Sequence, residues 1–309
     1  MSVLFTFPGQ GAQKPGMLHA LPSHEETART LEEAAAALGA DPLGLDTPDA
    51  LRSTVAVQLC LLIAGVATAR HLAALDARPA MVAGLSIGAW PAAVAAGVLA
   101  FPDVIRLVAF RARSMEEAYP SGHGMTAVTG LAATELEPLV ARVRAAGEPV
   151  YLANLNGPRQ LVIAGSDAGM AHVAALVHAG GAGAKAERLA VAVPSHCELL
   201  ARQADELAAA VAAVPLCRPR ITYISSSVAR ALFDPAAIGA DLARNMARQV
   251  QWHDTLRHAW ERGARLAVEM PSGSVLTKLT QPVFDGGVAV SCDGASIGDI
   301  ATLIRAAGE

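Results

Sequence analysis

Cysteine, aromatic rings and lysine are all scarce in this sequence. The four cysteines, Cys60, Cys197, Cys217 and Cys292, have no C-x-x-C spacing and form no framework of close pairs. That excludes a disulfide scaffold and reads as reduced thiols in a cytoplasmic protein. Aromatic residues are 4% of the chain, so its core must be packed with Ala, Val and Leu. Only three of the 24 basic residues are lysine (Lys14, Lys185, Lys278), no Lys/Arg run stands out, and the net charge is −4. A nucleic-acid or anionic-membrane binder needs the opposite balance. Charged residues at 17% against 53% hydrophobic rule out a disordered chain. The apolar segment Val55 to Ala69 is short for a bilayer span and contains Gln58, so it reads as a buried helix. Met1 to Phe7 lacks a basic n-region and a cleavage site and looks like a first strand. There is no internal repeat, Walker A loop, G-x-G-x-x-G or metal-ligand cluster.

What is present centres on Gly84-Leu85-Ser86-Ile87-Gly88. Apolar Met81-Val82-Ala83 runs into it, and the alanine-rich run Ala92 to Leu99 reads as a helix after it. Gly-x-Ser-x-Gly between a strand and a helix is the setting of a nucleophile elbow, in which a strained turn pushes the serine hydroxyl out at the top of a sheet. Ser86 is then the candidate nucleophile, and the Ile87 amide a donor to a developing oxyanion. A Gly/Ser turn between buried elements is the alternative, since the chain has 27 glycines.

In chain order, strand Leu4–Phe7 breaks at Pro8-Gly9-Gln10-Gly11-Ala12-Gln13, a tight loop at the strand end where open α/β sheets keep their sites. Gln10 either closes its own loop or aims its amide at a substrate oxygen. Helices are predicted over Glu25–Leu38, from Ser53-Thr54 onward, and from Asp103 to Ala118. Arg111 and Arg113 lie two apart in the last of these and so on different faces, where one can point inward while the other meets solvent; a surface or ion-paired arginine is the alternative. An inward arginine implies a carboxylate or phosphate partner. From Met125 to Leu189 the pattern is β-α-β-β-α-β, the split βαβ order of a ferredoxin-like unit, with a turn at Asn154-Leu155-Asn156-Gly157-Pro158. The expected architecture is a large α/β domain (1–123 and 196–309) with a small α+β domain (124–195) inserted and a cleft between them. His196, in Pro194-Ser195-His196-Cys197, sits at the hinge of that insertion and is the best placed base for Ser86. Strands at Ile221–Ile224, Leu266–Glu269 and Val288–Val290 and helices at Ala240–Arg248 and Trp252–Glu261 complete the large domain.

With these residues in hand, the chain resembles the malonyl-CoA:acyl-carrier-protein transacylase family nearly end to end. The matching pieces are Phe7–Gln13, the Gly84–Gly88 elbow, the Arg111-x-Arg-x-Met115 helix, Asn156 before Gln160–Gly165, Pro194–Cys197, Val250-Gln251-Trp252 and Ser274–Thr277. The resemblance implies an α/β-hydrolase-like large domain and a Ser86 nucleophile with His196 as base. It implies an oxyanion hole from Gln10 and the Ile87 amide, and Arg111 on the malonyl carboxylate. In that family backbone carbonyls orient the histidine, and Gln251 matches one such position; Asn156 is carried over as a substrate contact. The implied partners are malonyl-CoA as donor and an acyl carrier protein as acceptor, with no metal or resident cofactor. Leu85 stands where the family usually has His, and Met270-Pro271-Ser272-Gly273 where it usually has Gly-Pro-Gly. The segments Gly84–Pro91, Phe7–Leu18 and Ser53–Gln58 look closer to one branch, the epsilon subunit of malonate decarboxylase, which charges a carrier bearing a dephospho-CoA arm. A serine thioesterase or esterase, and a scaffold subunit with a vestigial elbow, are the competing functions.

Overall fold

The computed structural model describes residues 2–181 and 183–308. The first strand, β1 (Ser2–Phe7), is buried from Val3 onward, and its continuous apolar run fits a strand covered on both faces. Helix α1 (Glu25–Leu38) starts where His24 Nδ1 accepts the Glu26 amide and ends at Gly39 with φ 69°. Helix α2 (Thr54–Ala74) starts at Ser53, whose hydroxyl accepts the Val55 amide. It runs 21 residues, further than the apolar segment suggests and long enough to cross a membrane, but 89% of its apolar window is packed inside the fold. The buried-helix expectation therefore holds for a longer element.

Strand β2 (Met81–Gly84) leads through the elbow into α3 (Ala89–Ala95), which stops short of Leu99 because Gly97 turns the chain at φ 76°. Helix α4 (Phe101–Ala118) begins two residues before the expected Asp103, with Pro102 in its first turn.

The chain then builds β3 (His123–Thr129), α5 (Ala133–Ala145), β4 (Val150–Gly157), β5 (Gln160–Ser166), α6 (Asp167–Ala179) and β6 (Lys185–Arg188). These strands pair antiparallel in the order β4-β5-β3-β6, as the split βαβ pattern predicts. Alternation along β5 sorts its two faces. Leu161 and Ile163 pack with α5 and α6, while Val162 and Ala164 join the main core. The turn expected at Asn154–Pro158 is not there. Asn154, Leu155 and Gly157 stay in β4, paired with β5, and Asn154 also bridges to Val250. Interstrand pairing overrides the Asn-Gly-Pro turn signal, and the chain reverses at Pro158-Arg159.

The return passes through α7 (Ala201–Ala212), β7 (Thr222–Ser225), β8 (Arg230–Leu232), α8 (Pro235–Arg244) and α9 (Trp252–Glu261). It ends in β9 (Ala264–Glu269), α10 (Val275–Thr280), β10 (Val288–Ser291) and α11 (Ile297–Gly308). Helix α8 lies earlier than the expected Ala240–Arg248, and Asn245–Ala247 form a separate 3-10 turn. The large sheet has the order β10-β9-β1-β2-β7-β8, parallel except for the short edge strand β8. Its two central neighbours, β1 and β2, place the Gln10 loop and the serine elbow side by side, joined where the Leu85 amide donates to the Phe7 carbonyl at 3.0 Å.

Candidate active site

Both elbow glycines are required by contact. A Cβ on Gly84 would lie 2.0 Å from the Gly88 carbonyl, and one on Gly88 would lie 2.0 Å from the Phe7 oxygen. No side chain fits between β1 and the turn, so the backbone closes tightly enough to force Ser86 to φ 56°. His196 is likewise left-handed, at φ 67°. A non-glycine residue pays for that conformation in strain, which persists where the surrounding structure holds it and gathers at functional sites.

Ser86 is buried and lines a cavity of about 280 Å³. Gln10, the Ile87 turn, Arg111, Asn156 and His196 line the same cavity, so six of the seven candidate residues come together. Asn156 reaches it because β4 continues through the expected turn. Its Oδ1 and that of neighbouring Asn154 have no hydrogen-bond partner.

Arg111 is 1% exposed, whereas Arg113 faces solvent. Its guanidinium donates to Gln58 Oε1 at 2.5 Å and to Ser86 Oγ at 3.3 Å, and Nε has no acceptor. No carboxylate among the described residues is within ion-pair reach of it. Burial pushes its pKa down to about 9. A buried cation without an anion is costly. An anion brought into the cavity would offset that cost.

His196 Nδ1 faces the carbonyls of Asn245 at 2.9 Å and Arg248 at 3.2 Å. Both partners are acceptors, so Nδ1 carries the proton and Nε2 keeps its lone pair. The His196 amide donates to the Met246 carbonyl, so one turn grips this residue three times. Burial, then the Arg111 charge, push the imidazole pKa down to about 4, while the two carbonyls oppose the shift. His196 is therefore neutral, as a base must be. The acid limb of kcat/KM, which reports the free enzyme, is expected near pH 4 and not near 6.5. The limb of kcat is expected at higher pH, because a bound carboxylate cancels part of the Arg111 charge. A pH–rate series in both parameters checks this; coincident limbs near 6.5 would contradict it.

Gln251 does not reach the cavity. Its side chain donates to Gln249 Oε1 at 2.6 Å and its carbonyl accepts from Thr255. The carbonyls that orient His196 belong to Asn245 and Arg248, because the 3-10 turn, and not the start of α9, packs against the imidazole. Gln58 is the site residue that sequence reasoning missed; its only signal was an amide inside an apolar helix. Leu85 packs over Gly9, where a Cβ would sit 2.6 Å from Leu85 Cδ2, and gives the cavity an apolar wall. In the late loop, Ser272 Oγ donates to the Ala12 carbonyl and the Gly273 amide to Asp293 Oδ2 at 2.7 Å. Ser272 thereby ties down the loop that carries Gln10.

The acyl transferase domain model matches residues 4–302. The chain belongs to that family. A malonyl CoA-acyl carrier protein transacylase of Salmonella typhimurium is 36% identical over 287 residues, spanning 91% of this chain and 92% of the relative. The acyl-carrier-protein S-malonyltransferase from Burkholderia pseudomallei superposes with a TM-score of 0.91 at 34% identity, over 99% of this chain and 100% of the other. A malonyl-transacylase in complex with its type II PKS acyl-carrier protein matches with a TM-score of 0.87 at 33% identity, over 94% of each chain. These likenesses run the length of this acyltransferase and take in both sheets, including the large sheet's serine elbow.

Proposed function

We propose that this acyltransferase moves a malonyl group from malonyl-CoA to the thiol of an acyl carrier protein through a malonyl-Ser86 intermediate. The observation that carries this is Arg111, a buried guanidinium without an anion beside the nucleophile. The malonyl carboxylate supplies that anion and draws Arg111 from the Ser86 hydroxyl, freeing the hydroxyl to turn to His196 Nε2. His196 takes the Ser86 proton as Oγ attacks the thioester carbon. The Ile87 amide and Gln10 stabilise the oxyanion, an arrangement whose single donors typically contribute about 10²–10³ in rate. His196 protonates the departing CoA sulfur. The carrier thiol then gives its proton to His196 and attacks the ester carbonyl; the bond to Ser86 Oγ breaks, His196 returns the proton to that oxygen, and the acyl group leaves on the carrier sulfur as the malonyl thioester.

The carrier assigned to this chain is that of a malonate decarboxylase, with its dephospho-CoA arm, in the cytoplasm. Support comes from the segments Gly84–Pro91, Phe7–Leu18 and Ser53–Gln58, and from four free cysteines. In competition, malonate decarboxylase carrier is expected to gain malonyl mass ahead of a phosphopantetheine carrier. Preference for the phosphopantetheine carrier would make this an ordinary fatty-acid-synthesis transacylase.

A further inference from the structure

Gln10 does not close its own loop. Neither its amide nor its side chain bonds to another described residue. Its neighbours do the closing. The Ala12 amide donates to the Gly9 carbonyl at 3.3 Å, a β-turn whose third residue, Gly11, takes the positive φ of 105°. The Gly11 amide donates to Gln13 Oε1 at 2.7 Å. That amide belongs to the peptide group immediately after Gln10. The Gln13 side chain therefore holds the peptide plane on one side of Gln10, and the Gly9–Ala12 bond holds the plane on the other.

The second plane decides where the Gln10 amide points. The Gly9–Gln10 peptide is trans, so its N–H lies opposite its carbonyl. With the carbonyl turned in toward Ala12, the N–H is turned out, and Gln10 lines the cavity that holds Ser86.

The turn is also anchored from the late loop. Ser272, 3% exposed, donates Oγ to the Ala12 carbonyl. Its own loop is fixed to the sheet, where the Met270 amide donates to the Thr6 carbonyl at 2.8 Å. Asp293 Oδ2 accepts the Gly273 amide at 2.7 Å and Lys14 Nζ at 2.6 Å, joining that loop to the residue after Gln13. The acyl-transfer steps use neither the Gln13 nor the Ser272 side chain.

We infer that Gln13 and Ser272 are positioning residues for Gln10: they lock its turn so that the Gln10 amide stays aimed at the oxyanion formed at Ser86. A donor fixed in advance needs no reorganisation as the charge develops. The inference rests on the Ser86 nucleophile and on Gln10 as an oxyanion donor, and not on the identity of the acyl group.

The test compares Gln13→Ala, Gln13→Glu and Ser272→Ala in the full chain. Ser86 is labelled with a fluorophosphonate, which loads the same oxyanion site without a malonyl group, and the rate is taken per folded molecule. Outright loss of one oxyanion donor costs about 10²–10³ in rate, so loosening one is expected to slow labelling by less, about 3- to 30-fold in each alanine variant. The kcat of malonyl transfer is expected to fall by the same factor with KM for malonyl-CoA unchanged. Gln13→Glu keeps an acceptor oxygen for the Gly11 amide and is expected to label within about twofold of the parent. A merely structural role would lower the melting temperature and leave labelling per folded molecule at the parental rate. That result in a folded alanine variant overturns the assignment for its residue, and Gln13→Glu as slow as Gln13→Ala overturns the hydrogen bond as its cause. Should Ser272→Ala not fold, the two variants at Gln13, outside the buried core, carry the test. A parent chain that labels readily yet ignores malonyl-CoA would refute the proposed substrate alone, and the labelling comparison would still decide the role of the two residues.

Discussion

Arg111→Ala is expected to reduce malonyl transfer by roughly 10²- to 10³-fold and to leave acetyl transfer within about threefold of the parent. Removing one partner of a buried ion pair typically costs about 3–5 kcal/mol, because the remaining charge is stranded. In this site the stranded charge is the malonyl carboxylate, and among the described residues Arg111 is the only Lys or Arg that lines the cavity. An acetyl group brings no carboxylate and loses nothing by the change. Arg111→Lys should not restore the activity: an ammonium cannot hold Gln58 and a carboxylate with a planar fork. Steady-state kinetics with both thioesters reads the ratio. Equal losses on malonyl and acetyl donors would remove Arg111 from acyl recognition.

The second large effect is expected at His196. His196→Asn should lower acyl transfer by about 10⁴- to 10⁶-fold, the range found when the histidine of a serine nucleophile is removed. Asparagine is the informative replacement. It tolerates the left-handed backbone that φ 67° demands, and its amide can still donate to the Asn245 and Arg248 carbonyls. The fold and the grip of the turn are retained and only the base is lost. A thermal melt alongside the kinetics separates the two, and a folded variant with appreciable turnover would require another base.

Ser86 was legible in the sequence because two glycines at fixed spacing, between an apolar strand and a helix, leave few alternatives. The contacts show why, since neither glycine has room for a methyl. The pair Arg111 and Arg113 was half legible: helical geometry sends them to different faces, but only the packing of α4 on α2 says which one is inside. Gln58 was not, because an amide in an apolar helix looks the same whether it closes a core hydrogen bond or steadies an arginine. The misassignment of Gln251 has a different cause. Backbone carbonyls carry no side-chain signature, so the oriented turn could be placed only to within a few residues. Asn154 to Gly157 read as a turn from local chemistry, and pairing with β5 and Val250 overrode it. Strand β8, three residues at a sheet edge, offers no alternation to detect.

The most direct measurement is intact-protein mass after mixing with malonyl-CoA, for the parent and for Ser86→Ala. A malonyl increment on the parent, absent from Ser86→Ala and discharged by a carrier thiol, is the expected result. Consumption of the thioester without an adduct would make the protein a hydrolase. Neither adduct nor consumption would leave the elbow vestigial and the chain a scaffold.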